Sequence, residues 1–227
     1  MDLQPKGFPL PGWQARSLPS DVPMVGRYCR IERLQPRHGS ALFAADQRDA
    51  EGTSWTYLPY GPFPDAATYG AWIADMAVAR DPLFYAILNE SGQAVGVASY
   101  LRIDPAMGTI EVGHIHYSPL LQRTRAATEA MYLLARRVFD ELGYRRYEWK
   151  CDALNAPSRR GAERLGFAYE GTFRQAAIYK NRNRDTAWYA MIDREWPAIR
   201  AAFERWLDPS NFDAAGAQKR ALESFRT

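Results

Sequence analysis

The run EVGHIHYSPLLQRTRAATEA, residues 111–130, constrains the fold of this chain more than any other segment. Residues 109–117 read as a strand, and the proline of YSPLL marks a turn after it. A helix is expected over 124–142, with Ala127, Ala130, Met131, Leu134, Val138 and Leu142 on one face and Gly143 at its end. Its other face, carrying Glu129, Arg136, Arg137 and Asp140, is expected in water. Residues 144–152 supply a second strand, so the unit is a strand–helix–strand crossover whose two strands run parallel. The helix start aims free backbone N–H groups and a partial positive charge at whatever lies before it, and Arg123 and Arg125 add full charges. Such a start suits a phosphate.

The remaining segments extend this unit. A strand at 27–34 precedes helices at 38–50 and 65–80, the second with Asp65 as N-cap, and strands at 84–89 and 94–103 form an antiparallel meander with 109–117. After the crossover come a short helix ending at Leu165 before Gly166, strands at 168–179 and 185–192, an amphipathic helix from Trp196, and a charged tail. Pro5, Pro9, Pro11, Pro19 and Pro23 exclude regular structure from the first residues. The division is an extended arm at 1–26, an α/β domain at 27–195 and a helical extension at 196–227. The arm and the extension each cover the parent domain or join a second copy, so a homodimer is one expectation.

Composition narrows the function. With 47% hydrophobic residues the chain can fill a core, and 29 basic against 26 acidic residues leave +3, too little for a general nucleic-acid binder. Cys29 and Cys151 stand apart in apolar runs, and no clustered Cys/His spacing points to a metal. No stretch approaches the ~20 apolar residues needed to span a bilayer, and residues 1–23 lack a signal-peptide pattern, so a cytoplasmic protein is expected.

Gln122-Arg-Thr-Arg-Ala-Ala127 resembles the Q/R-x-x-G-x-G/A pattern of the GNAT superfamily of N-acetyltransferases, with Arg125 in the place of the central glycine. Continued through Thr128, Glu129 and Ala130, it is similar to the RimJ/RimL-type branch, the ribosomal-protein N-terminal acetyltransferases and their relatives. Glu111-Val112-Gly113, Asn155-Ala-Pro-Ser158 before Gly166-Phe167, and a late strand with Asp185 add to the likeness, which runs over residues 27–195. The resemblance implies a mixed α/β (α+β) fold: a mostly antiparallel central sheet of six to seven strands, helices on both faces, and splayed central strands. It implies direct transfer of acetyl from acetyl-CoA to a primary amine, a protein N-terminus or a small molecule. A degenerate acyl-CoA sensor or scaffold is the alternative, motivated by Arg125 and by Ala162 where the family places a tyrosine.

The resemblance also implies roles. Backbone N–H groups of Gln122, Arg123, Thr124, Arg125, Ala126, Ala127 and Thr128 would meet the phosphates, and the backbone of Ile115, His116 and Tyr117 would hold pantetheine and the developing oxyanion. Ser158 would assist the departing thiolate, with Asn155 orienting pantetheine. A neutral amine is needed, and Glu111, His114 and His116 are the candidate bases. Strict alternation puts Glu111 and the histidines on opposite faces unless a bulge intervenes. Trp55, Tyr57 and Tyr60 either plug the core edge or line the acceptor pocket, and Asp185 either holds a cationic acceptor or serves a structural salt bridge. Cys151 reads as a buried strand residue.

Overall fold

The computed structural model describes residues 4–226; the first three residues of the arm and the last of the tail, Thr227, lie outside the described residues. One sheet of eight strands organises the chain: β1 (Met24–Val25), β2 (Arg30–Arg33), β3 (Leu83–Leu88), β4 (Ala94–Asp104), β5 (Thr109–Tyr117), β6 (Arg146–Asp152), β7 (Ala168–Tyr179) and β8 (Arg182–Ile192). Their spatial order is β1-β2-β3-β4-β5-β6-β8-β7, and β5 with β6 is the parallel pair. That pair flanks α3 (Arg125–Arg136) in sequence, as the crossover requires.

Two apolar layers cover the sheet. One face packs Ile110, Val112, Tyr147 and Trp149 against α3, α4 (Ala156–Leu165) and α5 (Trp196–Leu207). The other packs Phe84, Ala86 and Val97 against α1 (Gly39–Asp46), α2 (Ala66–Val78) and Trp55. The ends of these helices follow from their sequence. Asp65 caps α2 by accepting from Thr68 N–H, and Gly166 closes α4 in the left-handed conformation at φ 103°. Helix α1 stops at Asp46 rather than continuing to residue 50, because the Asp49 carboxylate accepts from Thr53 and Ser54 N–H and turns the chain.

The eighth strand is the short β1, formed inside the stretch that reads as extended arm. Its turn into β2 explains it. The Glu129 carboxylate of α3 accepts from the backbone N–H groups of Arg27, Tyr28 and Cys29 at 2.8, 2.6 and 2.8 Å. A Cβ on Gly26 would stand 2.3 Å from that carboxylate, so only glycine fits. Glu129 is therefore buried, and the expectation that it faces water is corrected. Arg137 is also buried, its guanidinium donating to Glu141 and to the Ser20 carbonyl of the arm. Further along the arm, Trp13 donates to the Ala106 carbonyl and packs over Gly108 at the β4–β5 turn.

Candidate active site

Pairing between β5 and β6 covers Thr109↔Arg146 to Val112↔Trp149 and then ends. β5 continues to Tyr117 along β4, and β6 continues to Asp152 along β8, so the two central strands part after four residue pairs. On the β6 side, backbone groups of β5 beyond Val112 have no strand partner. The opening lies beside a cavity of about 410 Å³ lined by Glu111, His114, Ile115, Lys150, Ser158 and Arg184 among others.

A bulge decides which side chains enter it. Gly113 pairs with Ser99 and His116 with Val97, so two β5 residues, His114 and Ile115, oppose Ala98 alone. His114 takes φ 49° to absorb the extra residue. The phase of the strand flips there, and Glu111, His114 and His116 all reach the α1–α2 face.

Each of the three is held differently. Lys150 Nζ lies 2.9 Å from Glu111 and 2.7 Å from Glu148, and Arg102 lies 3.4 Å from Glu111. Burial raises the Glu111 pKa, and Lys150 only partly offsets it. His114 Nδ1 is 2.9 Å from the Tyr60 hydroxyl; burial, then the field of Arg184, pushes its pKa down to about 4. His116 is 2% exposed, stacks on Trp55 at 3.6 Å, and meets the Ser54 hydroxyl through Nε2 at 2.9 Å. Burial pushes His116 down to about 4 as well, so both imidazoles are neutral near pH 7. Behind His116, Nδ1 is 3.6 Å from the buried Asp46 carboxylate. Ser54 lines the cavity, and it is the group that connects His116 to it. Sequence reading passed over Ser54, since a serine in a turn carries no signal until the fold sets a histidine beside it.

At the start of α3, Thr124 caps Ala127 N–H at 3.1 Å, while the N–H groups of Arg123, Arg125 and Ala126 have no acceptor among the described residues. Arg123 sits in the left-handed region at φ 60° and is exposed, whereas Arg125 has the helical backbone of the first turn. The Arg125 guanidinium lies over the rings of Tyr28 at 4.5 Å and Phe212 at 5.1 Å. Gln122 turns back to donate to the Tyr117 carbonyl, and the Thr128 hydroxyl accepts from Arg164 inside the protein. Tyr117 packs on α3, its hydroxyl donating to the Ala127 carbonyl at 3.4 Å.

Ser158 opens α4 at the cavity wall. Asn155 caps its N–H at 3.1 Å, and its oxygen accepts from Trp149 Nε1–H at 3.0 Å. With that lone pair engaged, the hydroxyl proton is oriented to donate elsewhere. Cys151 lines the same cavity, its thiol pKa raised by burial. Tyr57 lines the cavity and donates to the Leu154 carbonyl, and Tyr60 reaches its wall through His114; Trp55 is buried in the core beneath His116. Asp185 is outside it, accepting from Gln175 N–H and Asn183 Nδ2 on the other face of the β7–β8 hairpin.

Residues 30–168, more than half of the chain, match the family described as the acetyltransferase (GNAT) domain. The chain belongs to the GNAT acetyltransferase family. A GCN5-related N-acetyltransferase from Brucella melitensis is 46% identical, with a TM-score of 0.94 over 96% of this chain and 99% of that one. A "probable acetyltransferase" of the GNAT family from Chromobacterium violaceum ATCC 12472 is 42% identical, with a TM-score of 0.79 over 86% of this chain and 98% of that one. The "uncharacterized N-acetyltransferase YnaD" of Bacillus subtilis (strain 168) is 30% identical over 88 residues, 39% of this chain and 51% of that protein. The chain thus spans about half the length of that curated relative. Within this GNAT fold, the parted strands and the open helix start are adjacent elements of one connection, β5 to α3.

Proposed function

We propose that this GNAT protein transfers an acetyl group from acetyl-CoA to a primary amine within a ternary complex. The observation that carries the reading is the end of β5–β6 pairing at Val112 and Trp149, where the two strands part beside the polar cavity. Acetyl-CoA would supply the activated acyl group together with a diphosphate for the protein to hold. The residues present suit it: the free N–H groups of Arg123, Arg125 and Ala126, the helix dipole behind them, and the exposed Arg123 side chain. On the side away from β4, the backbone of β5 between Gly113 and His116 would offer strand-like hydrogen bonds to the amides of a pantetheine arm and N–H groups for an oxyanion. The Ser158 hydroxyl, set by Trp149, donates to the leaving sulfur.

On the acceptor side, Glu111 takes the amine proton. Its raised pKa brings the carboxylate nearer to that of the group it deprotonates, and Lys150 holds its orientation. Ser54 and the neutral His116 supply a second polar contact to the amine. The finer assignment, to the RimJ/RimL-type branch with a protein N-terminus as acceptor, is supported by the QxxxAATEA run at residues 122–130. A chain-terminal amine is about one-tenth neutral at pH 7, against about one part in 2,500 for a lysine side chain, so a single carboxylate suffices.

The test is incubation of the protein with acetyl-CoA and a panel of peptides and small amines, read by mass spectrometry and thiol release. Acetylation that falls at least a hundredfold in Glu111→Gln supports the assignment. Tight acetyl-CoA binding with no acetyl product on any amine would instead establish a sensor.

A further inference from the structure

Among the described residues, Arg184, on β8, is the charged side chain of the cavity that has no ion-pair partner. The other charges lining it are satisfied. Lys150 is shared by Glu111 and Glu148, Arg102 lies against Glu111, and Asp152 accepts from the Tyr179 hydroxyl and Leu154 N–H. Arg184 makes no ion pair among the described residues, and its Nε–H is buried with no acceptor. Its guanidinium stands 5.8 Å from the Tyr179 ring, whose hydroxyl holds the nearby Asp152.

A second group on the same strand repeats the pattern. Trp188 also lines the cavity; its Nε1–H is buried away from the open space and has no acceptor among the described residues, while Lys150 Nζ occupies the face of its ring at 3.7 Å. Leaving a buried donor unpaired costs ~1–3 kcal/mol. The terminal guanidinium nitrogens of Arg184 also have no acceptor among the described residues and, unlike Nε, are not buried, so they are the donors a ligand in the cavity can reach. Three cations, Arg102, Lys150 and Arg184, line the space against two carboxylates, Glu111 and Asp152, with Glu148 paired to Lys150 behind the wall, and the neutral His114 leaves that balance unchanged.

We propose that Arg184 binds a carboxylate carried by the amine acceptor, so that the acceptor is an amino acid or a peptide bearing a carboxylate near its amine. The proposal rests on the acetyl-transfer reading of this cavity. Arginine's planar fork takes a carboxylate through two parallel N–H···O bonds, which orients the acceptor as well as attracting it.

The experiment compares acceptors in matched pairs: free amino acids against their carboxamides, and peptide amides beginning with Glu against the same peptides beginning with Gln. Wild-type protein is expected to show kcat/KM at least tenfold higher for the carboxylate member of a pair, the difference lying mainly in KM. Arg184→Gln should bring that ratio to near one, and Arg184→Lys should retain part of it. Equal turnover of both members by wild type, or a ratio that persists in Arg184→Gln, overturns the role of Arg184 and leaves acetyl transfer standing. No product from any amine, with acetyl-CoA bound by calorimetry, overturns the transfer reading and this proposal with it.

Discussion

Replacing Asp46 by asparagine tests whether the buried end of the Ser54–His116–Asp46 series is a charge the fold carries at a cost. Asp46 is 8% exposed and has no charged partner, since His116, 3.6 Å away, is neutral near pH 7. Burial pushes its pKa up to about 7; the Tyr69 hydroxyl offsets this in part, and the Asp49 carboxylate adds to it. An unfolded aspartate titrates near 3.9, so the folded state holds this proton more tightly. The sign follows from linkage: the stabilisation is full below about pH 4 and is lost as pH rises through about 7. Between pH 5 and pH 8.5 this one group removes about 3 kcal/mol from the folding free energy of the wild type. Asparagine keeps the shape and cannot ionise, so Asp46→Asn lacks that loss. Urea unfolding of both proteins at the two pH values reads it directly. Because every other titration cancels in the difference, the stability gap between variant and wild type should grow by about 3 kcal/mol in favour of the variant at pH 8.5. A gap that stays constant with pH would mean Asp46 is not a buried, unpaired carboxylate, and the account of the His116 surroundings would fail.

Other changes probe the site and its support. Ser158→Ala should lower kcat roughly 10- to 100-fold, the worth of one hydrogen bond to a charged sulfur, with acetyl-CoA affinity from calorimetry little changed. Arg123→Ala combined with Arg125→Ala should weaken acetyl-CoA binding by more than tenfold, about 1.4 kcal/mol; unchanged affinity would remove both side chains from the phosphate site. Glu129→Gln turns an amide N–H₂ toward three backbone donors and should cost about 3 kcal/mol, seen in a thermal scan as a Tm lower by roughly 10 °C. A Tm within ~2 °C of wild type would show that the β1–β2 turn does not depend on that carboxylate.

Much of this architecture was legible in order along the chain, because short-range physics writes it there. Apolar spacing over 127–142 marks a helix, Gly143 and Gly166 stop helices where no other residue takes the backbone conformation as readily, and Asp65 announces the start of α2. The crossover then forces β5 and β6 to be parallel. That a helix starts near Thr124, with its dipole directed back toward β5, was equally readable.

What needed the tertiary structure were the contacts between segments distant in sequence. Strand periodicity alone separates Glu111 from the histidines, and only the pairing of β5 with β4 inserts the bulge at His114 that brings them to one face. A glutamate in a helix reads as solvent-facing until three N–H groups about a hundred residues away close on Glu129. Ser54 and Arg184 are ordinary letters in the sequence. One becomes part of the site because His116 arrives beside it, the other because every neighbouring carboxylate is already engaged. Local propensities and dipoles belong to the chain itself, whereas partnership and its absence are properties of the packed fold.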